Sequence, residues 1–236
     1  MEAYKREFIQ FLEGAGVLKF GDFTAKSGRK IPYFINAGDI KTGEQICKLG
    51  EFYAKAYFEK VGNKKTVLYG PAYKGIPIAV SVAVALAKNG LDVPFFFNRK
   101  EEKDHGEGGK MVGYKLQDGD NVLITEDVIT SGASIRECLP QIMAAAKVNI
   151  IGEIISVDRM ERGLENKTAI QQIYDDYGFK VYPIVTVREV IDTLHNRPVD
   201  GKIYIDEITA ADKLEEFRRE QENFMGISFE TIAGYK

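Results

Sequence analysis

The sequence predicts a single α/β domain in which a central parallel sheet is flanked by helices. Short β-like runs alternate with helix-like runs between residues 66 and 185, as they do in parallel sheets. The helix-like run at 75–88 is apolar on nearly every face, which is typical of a buried helix. The composition agrees, because 236 residues with 44% hydrophobic and 28% charged side chains describe an ordinary globular chain.

The first 40 residues predict a small cap outside this sheet. Residues 8–12 carry a helical apolar face, and the segment 17–35 is dense in aromatic residues, glycine and lysine. We expect short strands and turns in that segment. A helix follows at 44–61, where apolar residues recur at helical spacing.

The remaining elements follow in order along the chain. We predict strands at 66–70, 93–97, 121–125, 149–157 and 181–185, and helices at 75–88, 135–146 and 168–177. Pro140 conflicts with an uninterrupted helix at its position. Leu214, Phe217 and Phe224 predict a final helix.

Composition also excludes several classes of protein. The 32 Lys+Arg residues against 35 Asp+Glu give a net charge of −3, so we expect no nucleic-acid partner. Cys47 and Cys138 are the only cysteines, which excludes a disulfide framework and a four-cysteine zinc site and favours two free thiols. There is neither a signal-peptide pattern nor an apolar run of about 18 residues. We therefore expect a cytoplasmic protein that does not bind membranes.

The segment 121–134 carries the strongest functional signal. An apolar strand ends in Glu126 and Asp127, at the carboxyl edge where open α/β sheets bind ligands. The loop at 130–134 then opens a helix, whose N–H groups and dipole favour a phosphate. Carboxylates repel a phosphate, but they accept hydrogen bonds from hydroxyls and bind Mg²⁺. A ribose 5-phosphate fits both parts of this segment, because its hydroxyls suit the two acids and its phosphate suits the start of the helix. An ordinary helix cap would not require the two acids.

The stretch 122–134 resembles the phosphoribosyl pyrophosphate signature of type I phosphoribosyltransferases, with its acidic pair at Glu126 and Asp127. The resemblance implies the type I phosphoribosyltransferase fold in one domain over 1–236. Residues 1–40 would contribute a hood and residues 197–236 a C-terminal extension. It also implies a 5-phosphoribosyl 1-diphosphate site that includes Val128, Ile129, Thr130, Ser131, Gly132, Ala133 and Ser134.

Other segments resemble orotate phosphoribosyltransferases in particular. The polar stretch 99–109, which composition alone predicts to be a mobile loop, is similar to the catalytic loop of that family. The segment 23–38 is similar to its N-terminal motif, 70–77 to its pyrophosphate loop and 156–163 to the segment that binds the orotate carboxylate. The residues at matching positions are Arg99, Lys100, Lys103 and His105 in the catalytic loop; Lys26, Phe34 and Ile35 in the N-terminal motif; Tyr73 and Lys74 in the pyrophosphate loop; and Arg159 in the segment that binds the orotate carboxylate.

The resemblance implies Mg²⁺-dependent transfer of phosphoribosyl to orotate, in pyrimidine biosynthesis. Lys26, Lys103 and His105 would be catalytic, and the guanidinium of Arg159 suits a planar carboxylate. Mg²⁺ would be held mainly by the substrate, with Asp127 as a candidate ligand. The family further implies a homodimer in which the loop 99–109 is shared across subunits.

Two alternatives compete with this interpretation. The first is a phosphoribosyltransferase for a purine or uracil, which the segments at Lys26, 99–109 and Arg159 disfavour. The second is a non-catalytic sensor of phosphoribosyl pyrophosphate, because one fold hosts many functions. A sensor should carry an added nucleic-acid-binding domain or a basic surface, and neither is evident in the sequence.

Overall fold

The structure of this chain is a computed structural model. It describes residues 1–24, 30–103, 109–129, 132–160, 167–195, 198–199 and 202–203. The predicted final helix around Leu214 lies outside the described residues.

The described elements follow the predicted alternation. The helices are α1 (Ala3–Gly14), α2 (Gly43–Lys60), α3 (Gly75–Lys88), α4 (Ala133–Ala145), α5 (Ala169–Tyr177) and α6 (Val187–Leu194). The strands are β1 (Leu18–Thr24), β2 (Lys30–Ile35), β3 (Val67–Gly70), β4 (Phe95–Lys103), β5 (Gly109–Gly113), β6 (Asn121–Val128), β7 (Asn149–Asp158), β8 (Val181–Thr186), β9 (Pro198–Val199) and β10 (Lys202–Ile203). A 3₁₀ turn occupies Ala37–Asp39.

A six-stranded sheet of order β5-β4-β3-β6-β7-β8 forms the centre of the molecule. Strands β4, β3, β6, β7 and β8 pair in parallel, and β5 is antiparallel to β4 at the edge. Helices α1, α2, α3 and α6 cover one face, and α4 and α5 cover the other. The predicted α/β class and its five core strands are confirmed.

The predicted cap is a separate antiparallel pair of strands, β1 and β2. The backbone N–H of Asn36, just after β2, donates to the carbonyl of Val17, just before β1, at 2.9 Å. The short strands expected in 17–35 are therefore present.

Two predictions of local structure need correction. The stretch 99–109 is not all loop, because β4 continues to Lys103 and β5 begins at Gly109. Pro140 does not interrupt its helix, which runs through it as α4. Pro140 lacks the N–H that would donate to the carbonyl of the preceding turn, and its side chain is exposed.

Two further findings concern the cysteines and the helices. Cys47 and Cys138 are free thiols, as predicted, and Cys138 is buried. Among the helices in the described ranges, none combines the length and apolarity needed to cross a bilayer.

Candidate active site

The acidic pair lies near the carboxyl end of β6. The hydroxyl of Ser134, in the first turn of α4, donates to the Glu126 carboxylate at 2.6 Å. Burial and the nearby charge of Asp127 raise the pKa of Glu126 to about 7, although the Ser134 hydrogen bond opposes that shift. Glu126 therefore titrates near neutral pH, which is typical of functional carboxyls.

Asp127 joins the acidic pair to the predicted pyrophosphate loop. The Lys74 ammonium lies 3.0 Å from Asp127 Oδ2, and it also donates to Asn36 Oδ1 at 3.4 Å. Asp127 is only 6% exposed, whereas about half of the Lys74 side chain is accessible. Lys74 thus presents a positive charge at the surface of the site while Asp127 fixes its position.

The turn between β3 and α3 requires glycine. A Cβ on Gly70 would lie 2.3 Å from the carbonyl oxygen of Gly75, and a Cβ on Gly75 would lie 2.5 Å from Pro71 Cδ. These contacts are too short for any side chain, so the two glycines let the loop fold tightly above the sheet. Tyr73, at the tip of this loop, is 70% exposed.

Asn98, which sequence reasoning missed, holds the same loop from the neighbouring strand β4. Its Oδ1 accepts from the backbone N–H of Ala72 at 2.8 Å and from the Tyr69 hydroxyl at 2.9 Å. Asn98 is buried, so both hydrogen bonds are shielded from water. The only sequence signal was a polar residue directly after the apolar run 93–97.

The predicted phosphate-binding segment leads into the amino end of α4. Gly132 is the N-cap with a left-handed φ of +67°, and Ala133 and Ser134 begin the helix. Val128 and Ile129 turn their side chains into the two halves of the core, so they would contact a ligand only through the backbone. Thr130 and Ser131 lie outside the described residues.

The hood approaches this edge of the sheet through β2. Phe34 is 42% exposed and its ring lies 5.5 Å from that of Phe23, while Ile35 packs against the core. Tyr33 directly precedes Phe34, and its hydroxyl donates to the carbonyl oxygen of Arg159 at 3.2 Å. The structure therefore brings the predicted orotate-contacting segments, Phe34 and Arg159, to the same region.

The residues predicted for the catalytic loop are only partly described. Lys26 and His105 lie outside the described residues, and for Lys103 only the backbone at the end of β4 is described. Arg99 and Lys100 lie on β4, and the Lys100 ammonium is 3.7 Å from the Glu137 carboxylate of α4. The charge of Lys100 also lowers the pKa of Glu126, which places Lys100 near the acidic pair.

The described side chains do not form a metal site by themselves. Within the described ranges, no group of three or more His, Cys, Asp or Glu side chains converges as metal ligands would. A single carboxylate such as Asp127 fits a cation held mainly by substrate phosphates, since Mg²⁺ is commonly bound that way.

Comparison with known proteins agrees with this geometry. The family model described as "Phosphoribosyl transferase domain" matches residues 36–184, which include β3, β6 and α4. The orotate phosphoribosyltransferase of Clostridium botulinum is 50% identical over 222 residues, covering 93% of this chain and 98% of that protein. The chain belongs to the orotate phosphoribosyltransferase family.

Other members of the orotate phosphoribosyltransferase family show the same similarity. The Escherichia coli protein is 50% identical over 199 residues, covering 84% of this chain and 92% of its own length. A crystal structure of the Francisella tularensis enzyme superposes with a TM-score of 0.76 at 33% identity, covering 91% of this chain and 98% of that chain. The predicted type I phosphoribosyltransferase fold is thereby confirmed.

Proposed function

We propose that this chain transfers the phosphoribosyl group of 5-phosphoribosyl 1-diphosphate to orotate. The products are orotidine 5′-monophosphate and diphosphate, in pyrimidine biosynthesis. The observation that carries the proposal is the junction of β6 and α4, where Glu126 and Asp127 adjoin the amino end of a helix. Its support is the 50% identity over 93% of the chain to a protein named for that activity.

The ribose phosphate would span the junction. Glu126 and Asp127 accept hydrogen bonds from the two ribose hydroxyls, and the N–H groups that follow Gly132 bind the 5-phosphate. Thr130 and Ser131 belong to the same loop and would add hydroxyl donors. The Ser134 hydroxyl, which now donates to Glu126, is near both halves of the ligand.

The chemistry requires no covalent intermediate with the protein. A ring nitrogen of orotate forms a bond to C1′ as the bond between C1′ and the diphosphate oxygen breaks. Negative charge collects on the departing diphosphate, and preorganised cations stabilise it. Lys74 is suited to this role, because a diphosphate would compete with Asp127 for its ammonium. We assign the other cations to the same charge, namely Lys26, Arg99, Lys100, Lys103 and His105.

Mg²⁺ completes the proposed reaction. Bound to the diphosphate, it would neutralise part of the charge on that group. Asp127 is the described carboxylate best placed to contact it, since it already lies beside the cation that would face the diphosphate.

The proposal includes a homodimer in which the segment 99–109 of one subunit reaches the site of its partner. The cations at Arg99 and Lys100 lie on β4, which leads directly into that segment. The single-domain organisation over 1–236 and the cytoplasmic location stay predictions.

A panel of bases tests the proposed substrate. The purified chain is incubated with 5-phosphoribosyl 1-diphosphate, Mg²⁺ and one of orotate, uracil, adenine or hypoxanthine, and the nucleotide product is identified by mass spectrometry. We expect the product mass of orotidine 5′-monophosphate in the orotate reaction. A nucleotide formed only from another base would overturn the role of Arg159, and binding of the donor without turnover would favour a sensor.

A further inference from the structure

Two buried tyrosines lie behind the candidate active site and hold the backbone of two of its residues. The Tyr53 hydroxyl, from α2, donates to the carbonyl oxygen of Glu126 at 2.6 Å. The Tyr33 hydroxyl, from β2, donates to the carbonyl oxygen of Arg159 at 3.2 Å. Tyr53 and Tyr33 are 0% and 1% exposed, so both phenols are packed inside the protein.

Tyr53 also joins two strands of the sheet. Its hydroxyl oxygen lies 2.8 Å from the Oγ of Ser156 on β7. A phenol has one proton, and because Tyr53 gives it to the Glu126 carbonyl, the Ser156 hydroxyl must be the donor in this second hydrogen bond. One side chain of α2 thus fixes the carboxyl ends of β6 and β7 relative to each other.

Tyr33 makes the corresponding link from the hood. It precedes Phe34, and its hydroxyl reaches the residue that follows Asp158 at the end of β7. The two phenols therefore connect three parts of the site: the acidic pair, the Arg159 segment and the hood.

We propose that Tyr53 and Tyr33 are positioning residues that set the separation between the ribose-binding Glu126 and the base-binding Arg159. This inference rests on the proposed function. The reacting nitrogen and C1′ must meet at close range, and a displacement of about 1 Å can cost about 100-fold in rate. Each tyrosine holds a carbonyl rather than a side chain, so its loss shifts the binding group without removing it.

Replacement of each tyrosine by phenylalanine tests the roles separately. Tyr53→Phe should raise the KM for 5-phosphoribosyl 1-diphosphate about tenfold, and Tyr33→Phe should raise the KM for orotate by a similar factor, since each moves one binding group. Both variants should also lower kcat, because the reacting nitrogen and C1′ are then misaligned. The KM for the other substrate should stay within about twofold in each variant. Steady-state kinetics with each substrate varied at saturating concentration of the other measures these values.

Tyr57→Phe is the matched control for the loss of a buried phenol. Tyr57 lies on the same helix as Tyr53 and is 0% exposed. Its hydroxyl donates to the Lys64 carbonyl and lies 3.1 Å from the Thr66 hydroxyl, before the amino end of β3 and away from the site. We expect the control to lower the melting temperature without changing either KM.

The outcomes separate this proposal from the proposed function. A wild-type chain that fails to convert orotate would overturn both. An active wild type whose Tyr53→Phe and Tyr33→Phe variants match Tyr57→Phe in both KM values would overturn only the positioning roles. If Tyr53→Phe does not fold, Ser156→Ala removes the β7 half of the Tyr53 bridge and leaves the hydrogen bond to Glu126 in place. A Ser156→Ala variant that matches Tyr57→Phe in kcat and in the KM for orotate would contradict the bridging role of Tyr53.

Discussion

At the scale of single residues, Glu153 is a buried carboxyl group that the proposed reaction does not use. It lies on β7, paired in register with Ile124 of β6 and Val181 of β8, and it is 0% exposed. Neither carboxylate oxygen has a hydrogen-bond partner among the described residues. Burial, and after it the charge of Glu126, raises the pKa of Glu153 well above its usual value of 4.5.

This shift makes the stability of the fold depend on pH. The folded chain retains a proton on Glu153 that the unfolded chain releases above about pH 4.5, so stability falls as pH rises. Glu153→Gln removes this dependence, and we expect the variant to be more stable than wild type at pH 8 by about 1–3 kcal/mol. The difference should shrink towards pH 5. Urea unfolding at the two pH values measures it.

Glu7→Gln is the control for that experiment. Glu7 is exposed and lies 3.4 Å from the Lys55 ammonium, a surface ion pair of little energetic value. The control should change stability by less than about 0.5 kcal/mol at either pH. A Glu153→Gln variant that shows no gain at pH 8 would contradict the account of a buried, protonated Glu153.

Glu126 gives the second prediction at this scale. Because its pKa is about 7 in the folded chain, it loses its charge as pH falls below neutrality. The charged form accepts ribose hydroxyl hydrogen bonds more strongly, so kcat/KM for 5-phosphoribosyl 1-diphosphate should fall by up to about tenfold per pH unit below pH 7. A pH–rate profile measures this. In Glu126→Gln the activity should be lower, and a fall of the same size in that variant would assign the titration to another group.

At the scale of elements, the tight turn from β3 to α3 determines where Lys74 lies. Gly70→Ala would place a Cβ 2.3 Å from the Gly75 carbonyl oxygen, and backbone atoms have little freedom to move away. We expect a loss of about 1–3 kcal/mol in stability and a raised KM for 5-phosphoribosyl 1-diphosphate. Gly14→Ala, where no atom lies within 4 Å of the added Cβ, is the control and should be neutral or stabilising. Equal behaviour of the two variants would contradict the role of the turn.

The elements also show what the sequence could predict. Apolar runs that end in glycine or acidic residues identified β3 and β6, because a parallel core strand is buried on both faces. The antiparallel edge strand β5 was missed, since Gly109–Gly113 has too few apolar residues to distinguish it from a loop. A helix pattern was recognised around His195, but helix α6 was assigned no bounds, although the capping box of Thr186 and Glu189 marks its start.

The candidate site likewise contains residues that the sequence predicts and residues that it does not. Glu126 and Asp127 were predicted because two acids at the end of an apolar strand have a local signature, and Lys74 was predicted because its segment resembles the pyrophosphate loop of the family. Tyr53 and Asn98 were not, because each is read from the sequence as an ordinary member of an apolar helix or strand. Their roles depend on partners 73 and 26 residues away in sequence, which no local pattern reveals.

At the scale of the whole molecule, the proposed sharing of the segment 99–109 between subunits gives a prediction that tests the proposed dimer. Lys103→Ala should reduce turnover by about two or more orders of magnitude with the fold intact, because the proposed function assigns its charge to the departing diphosphate. Asp127→Asn should inactivate the acidic pair of the same subunit. If 99–109 reaches the partner's site, a mixture of the two variants forms hybrid dimers in which one site carries neither substitution.

The activity of that mixture shows whether the segment 99–109 is shared between the two subunits. Random exchange of subunits between equal amounts of the two variants makes about half of the dimers hybrids. Each hybrid has one intact site of its two, so about a quarter of wild-type activity should return after mixing. Mixtures that stay as inactive as the separate variants would show that each site is completed by its own subunit. Near wild-type turnover by Lys103→Ala alone would contradict the assignment of the loop.

Conversion of orotate itself by this member of the orotate phosphoribosyltransferase family can be measured directly. The most direct measurement follows the ultraviolet absorbance of orotate with the purified chain, 5-phosphoribosyl 1-diphosphate and Mg²⁺. We expect a fall in absorbance that requires both the donor and Mg²⁺. Unchanged orotate under conditions in which the chain is folded and binds the donor would contradict it.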